Sequence, residues 1–148
     1  LIAALAIVPG GWFTDVLTRR VGRRWGRSVP LGLFKLPCVI ALVATADAPT
    51  AWAAVAWLTV MAACQDFGVP SAWAFAQDTA GKQVGAVLGW ANMWGNFGAG
   101  VALLTTGPLE AVGGWNAVLY TGAAAFAFCG TFGLLSDASV PLFGKRDE

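Results

Sequence analysis

Apolar residues occupy long blocks of this chain, and polar residues fall in the short joints between them. Residues 1–13, 30–46, 50–76, 84–105 and 115–135 are almost wholly apolar. The blocks do not alternate with period two and are too long for strands, so the pattern predicts helices throughout and no sheet. A bilayer core about 30 Å thick takes about 20 helical residues at about 1.5 Å each. The four later blocks therefore read as transmembrane helices. Residues 1–13 cover only about 20 Å and read as the end of a truncated transmembrane helix, which makes the chain a fragment. Pro30 suits the first turn of its helix. Between the blocks lie an arginine-rich loop at 14–29, a turn at Asp47, Ala48 and Pro49, a polar joint at 77–83 and a Gly/Pro turn at 106–114. A polar tail, 136–148, follows the last block. The fold class expected is an all-α membrane protein.

Charge orients this scheme. Arg19, Arg20, Arg23, Arg24 and Arg27 all lie in the 14–29 loop and make up most of the nine basic residues. Cytoplasmic loops of membrane proteins gather Lys and Arg, so this loop is placed inside. Counting outward, the turns bearing Asp47 and Glu110 lie outside and hold no Lys or Arg. The joint with Asp78 and Lys82 and the tail with Lys145 and Arg146 return inside. Trp52 and Trp115 then fall at the outer ends of their helices, where an interfacial aromatic belt would put them. The expectation is an integral membrane protein with a cytoplasmic C-terminus, in a bacterial inner membrane.

Composition removes other classes. The chain is 57% hydrophobic and 11% charged, against roughly 25% charged in soluble proteins, and its mean hydropathy is +0.67. It has no His, which takes away the commonest general base, pH switch and metal ligand. Cys38, Cys64 and Cys129 are isolated within apolar blocks and are expected to pack as small apolar residues. No metal cluster or phosphate-cradling loop suggests bond-breaking chemistry. No enzyme activity, cofactor, metal or nucleic-acid partner is expected, and the lipid bilayer is the first partner.

Gly11-Trp12-Phe13-Thr14-Asp15, with Arg20-Val21-Gly22-Arg23-Arg24 further on, resembles the cytoplasmic loop signature of the major facilitator superfamily. That signature is Gly, three residues, Asp, then a basic Arg-x-Gly-Arg-Arg. Residues 16–19 separate its two parts here by about one helical turn. With Asp66, Pro70, Trp73, Asp78 and the run from Gly89 to Gly100, the chain is most similar to the anion:cation symporter branch. The resemblance implies the C-terminal helices, late eight to twelve, of a twelve-helix fold whose N-terminal half is missing here. It implies secondary active transport of small organic anions, such as sugar acids or other carboxylates, coupled to a proton or sodium gradient. It also makes Gly11, Asp15, Arg20, Gly22, Arg23 and Arg24 a gating loop. The alternatives are an arginine cluster that only sets topology, and a non-transporting sensor or assembly subunit on the same scaffold.

Polar residues inside the apolar blocks are the candidate binding groups. Gly85, Gly89, Asn92 and Asn96 recur at helical spacing along one stripe. Carboxamides both donate and accept, so Asn92 and Asn96 can hold a carboxylate or hydroxyl; the other reading has them bonding to a neighbouring helix. Ser71 and Trp73, beyond a kink expected at Pro70, are further candidates to face the pathway, Trp73 with packing as its other reading; Trp94, which flanks the asparagine stripe, is another substrate-lining candidate. Gln65 and Asp66 form the strongly polar pair deep in a block. An ionised carboxylate there is costly, which leaves Asp66 as a coupling group or as the partner of Lys35. Asp78 is placed to cap the start of the following helix, and Trp90 to face lipid or pack against a neighbouring helix.

Overall fold

The computed structural model describes residues 5–143, and these are helical almost throughout. Four helices follow one another: α1 (Ile7–Leu33), α2 (Lys35–Ala46), α3 (Ala51–Ala80) and α4 (Val84–Leu135), with a 3-10 turn at Gly81–Gln83 before α4. The all-helical expectation holds. Residues 1–4 of the first block, and Lys145 and Arg146 of the tail, lie outside the described residues.

Two glycines bend the long helices. Gly22 in α1 has φ +83° and ψ 172°, and Gly114 in α4 has φ +65° and ψ −172°. A side chain would be strained at such angles. At Gly22 the chain doubles back: a Cβ on Gly26 would run into the backbone of Thr18, and Arg27 bonds back to Asp15. The arginine segment expected as a loop over 14–29 is therefore a tight helical hairpin. Arginine is a good helix former, so one glycine suffices to make the turn. The turn expected over 106–114 narrows in the same way, since α4 stays helical through Pro108 and breaks only at Gly114. Pro30 lies well inside α1 rather than in a first turn, and α3 runs through Pro70 as one helix.

The other joints are short. Phe34 keeps right-handed helical angles (φ −70°, ψ −5°), so the second limb of α1 continues into α2. Thr50, with extended backbone, accepts from the Ala53 N–H at 3.2 Å and caps the start of α3.

Packing inverts the usual order of a soluble domain. α3 packs against α1 and α2, and α4 packs mainly against α2 and α1. The interior holds mostly small residues (Cys38, Ala41, Ala76, Ala123), with Leu42, and polar ones (Thr14, Ser28, Lys35, Thr45, Ser71, Thr79). Large apolar side chains point outward: Trp52, Leu103 and Val112 are 84%, 78% and 92% exposed. Small residues let backbones approach. Where α1 crosses α4, a Cβ on Gly133 would lie 3.0 Å from the Cα of Gly32. Phe13, Phe34 and Phe67 form the one large aromatic knot among α1, α2 and α3, with centroids 5.9, 5.7 and 4.3 Å apart. By length and composition, two apolar helical runs, Ile7–Ala46 and Ala51–Leu135, are long enough to cross a membrane.

Candidate functional site

The hairpin at Gly22 brings a charge cluster together at one end of the bundle. Arg27, on the returning limb of α1, donates from Nη1 to Asp15 Oδ1 at 3.2 Å and from Nε to Asp78 Oδ2 at 2.9 Å. Asp15 comes from the outgoing limb and Asp78 from the last turn of α3, so one guanidinium ties three helical limbs. With two carboxylates and one cation, this trio carries net negative charge. The gating loop read from the sequence held Asp15 with Arg20, Arg23 and Arg24 and did not include Arg27. Arg20 and Arg23 are exposed and form no ion pair among the described residues. Asp78 does not cap α4, whose N-cap is Gln83; it lies within α3 and holds Arg27 instead.

Arg24 takes a different partner, Asp137, at 3.5 Å. The Ser139 hydroxyl and backbone N–H both donate to Asp137, at 2.6 and 2.8 Å. Those bonds, with the attraction of Arg24, hold its carboxyl below the usual carboxylate range. The segment after α4 folds back over this end: the Ser28 hydroxyl donates to the Ser136 carbonyl at 2.7 Å, and the Leu142 N–H to the Thr79 carbonyl at 2.9 Å. The arginine hairpin, the end of α3 and the start of the tail thus share one end of the molecule.

Beside the cluster lies a pocket of about 310 Å³ whose walls include Gly11, Thr14, Asp15, Arg27, Trp73 and Gln77. Thr14 is 1% exposed, and its hydroxyl has no hydrogen-bond partner among the described residues. A Cβ on Gly11 would meet the Pro70 ring at 3.7 Å, an ordinary contact, whereas one on the neighbouring Gly10 would run into the Phe67 carbonyl.

A larger groove, about 870 Å³, opens between α3 and the first limb of α4. Gln65, Trp73 and Thr79 line it from α3, and Gly89, Trp90 and Asn92 from α4. Two candidates read from the sequence, Gln65 and Asn92, therefore meet in one cavity. Trp73 walls both this groove and the smaller pocket.

The other candidates lie elsewhere. Asn96 is exposed one turn beyond Asn92 and donates from Nδ2 to the Asn92 carbonyl at 2.8 Å and to Asn92 Oδ1 at 3.4 Å. Trp94 does not line the groove; it sits edge-on between Trp90 and Phe97, with centroids 6.1 and 5.7 Å away. Ser71 is fully buried and donates to the Arg27 carbonyl at 2.6 Å, so its hydroxyl holds α3 against α1. The pairing of Lys35 with Asp66 is replaced by another: Lys35 Nζ donates to Gln65 Oε1. Asp66 has no ion-pair partner among the described residues. No group of three or more His, Cys, Asp or Glu among the described residues is placed to hold a metal ion.

No family model matches the chain, and no curated protein or solved structure gives a significant match.

Proposed function

We propose that this chain is the C-terminal portion, late helix eight to helix twelve, of a twelve-helix secondary transporter of the major facilitator type. Its surroundings are then a lipid bilayer, with the arginine end in the cytoplasm. The inside-out distribution of side chains supports the bilayer. The most apolar window of the 51–135 run is only 17% buried, whereas the core helix of a soluble protein is mostly enclosed. An exposed apolar surface of this extent calls for an apolar environment, and small interior residues suit helix packing in lipid.

The observation that carries the transporter reading is the Asp15–Arg27–Asp78 latch. The acidic residue of the loop signature reaches the end of α3 through one shared guanidinium, on the end where the arginines gather. Charged hydrogen bonds of this kind close the cytoplasmic side while made, and open it when water replaces them. The groove supplies the substrate side. Its amides are uncharged and oriented by their neighbours, which suits a small organic anion such as a sugar acid or another carboxylate. A proton or sodium gradient drives the cycle, and Asp66, without a basic partner among the described residues, is the coupling candidate in this portion.

The test is uptake by the full-length protein in proteoliposomes, across a panel of carboxylates, with an imposed pH or sodium gradient. Gradient-stimulated uptake, with a raised KM in Asn92→Ala, is the expected result. A correctly inserted protein that moves none of the panel would point instead to a sensor or assembly subunit.

A further inference from the structure

We infer that Lys35 is a positioning residue that fixes the polarity of Gln65, so that the groove presents amide N–H donors and selects ligands rich in acceptors. The inference rests on the groove being the substrate site and adds what sets its preference.

Lys35 is 8% exposed, at the start of α2, and three elements meet around it. Its Nζ donates to Gln65 Oε1 on α3 and lies 5.5 Å from the centre of the Phe126 ring on α4. Gly130 gives its stem room, for a Cβ there would come within 3.0 Å of Lys35 Cβ. An ammonium has three donors and no acceptor, so it can donate only to the carbonyl end of the Gln65 amide. The NH₂ end must then point away from Lys35, and Gln65 lines the groove. Asn92 is biased in the same sense: Asn96 donates to its Oδ1 at 3.4 Å, leaving the Asn92 NH₂ unengaged by that pair. No charged side chain among the described residues lines the groove. Its polarity is therefore set by which ends of these amides face inward, and Lys35 acts from behind one of them. An isolated glutamine would turn over to suit a donor or an acceptor; one held by an ammonium cannot.

The experiment compares the full-length wild type with Lys35→Met, Lys35→Arg and Gln65→Glu in detergent, following quenching of groove tryptophan fluorescence. The probes are gluconate, sorbitol and glucosamine, which share hydroxyls and differ in charge. The wild type is expected to bind gluconate more tightly than the other two. Lys35→Met should weaken gluconate about tenfold, the worth of one charge-assisted hydrogen bond, and bring it close to sorbitol. Lys35→Arg should restore the preference, because guanidinium is also donor-only. Gln65→Glu keeps a partner for Lys35 but turns an acceptor toward the groove, and glucosamine should then exceed gluconate. An unchanged gluconate-to-sorbitol ratio in Lys35→Met and in Gln65→Glu overturns the role of Lys35 while leaving the groove as a site. If Lys35→Met does not fold, Lys35→Gln decides in its place, because a carboxamide both donates and accepts and no longer fixes the Gln65 amide. A folded wild type that binds none of the three probes overturns the groove reading, and this inference with it.

Discussion

Replacing Arg27 with Gln removes the cation that joins Asp15 to Asp78. Its two bonds are unequal. The side chains of Arg27 and Asp78 are 13% and 21% exposed, and their contact is 2.9 Å. A hydrogen bond to a charged group in such a place contributes about 1.5–3 kcal/mol, and partial solvent access puts this one near the lower end. Asp15 is 64% exposed at 3.2 Å, which puts its bond among surface pairs worth about 0.2–1 kcal/mol. Arg27→Gln should therefore cost about 2 kcal/mol. A double-mutant cycle separates the parts: coupling of Arg27→Gln with Asp78→Asn should be about 1.5 kcal/mol, and with Asp15→Asn about 0.5 kcal/mol or less. Equilibrium unfolding in mixed detergent micelles gives both values. Coupling to Asp78 below about 0.3 kcal/mol, the usual error of additivity, would refute the latch. So would coupling to Asp15 larger than that to Asp78.

Two further predictions concern packing and the tail. Gly32→Ala should lose about 1–3 kcal/mol, because its Cβ would sit 2.6 Å from the Gly130 carbonyl and 2.8 Å from the Leu134 nitrogen. Gly85→Ala, with nothing within 4 Å, should leave the stability of these helices unchanged or slightly raised; thermal unfolding of the two variants checks the contrast. Asp137 has a lowered folded-state pKa, so its tether is present above the ordinary value of 3.8 and is lost as pH falls through the lower folded value. A spin label at Val140 should stay immobile from neutral pH down to about 4 and loosen below that. In Asp137→Asn, that acid transition should vanish.

The helices were legible because their apolar blocks are long and leave no alternation. What the blocks hid was direction. In a helix apolar on every side, periodicity gives little information about which face meets which neighbour. Gln65 and Asp66 illustrate this: adjacent in sequence, they point about 100° apart around the helix, and Lys35 takes only the first. The arginine segment misled for a related reason. Its charge read as a loop, although arginine is helix-compatible and Gly22 alone turns the chain. Arg27 lay outside the loop signature, and only the hairpin brings it back to Asp15. Asn92 and Asn96 did share a stripe, yet only Asn92 faces the groove, because lining depends on where α3 lies.

The central claim is that these helices cross a bilayer with the arginine hairpin on one side. At about 1.5 Å per residue, the 30 residues of α3 carry the chain about 45 Å from Thr50 to the latch, and the first limb of α4 carries it back. The direct measurement is labelling of single cysteines, in a background with Cys38, Cys64 and Cys129 replaced, by a membrane-impermeant maleimide on sealed vesicles of known orientation. Cysteines at Arg20 and Lys82 should react from one side only, and cysteines at Ala48 and Glu110 only from the other. Reaction of the Arg20 and Ala48 positions from the same side would contradict the account.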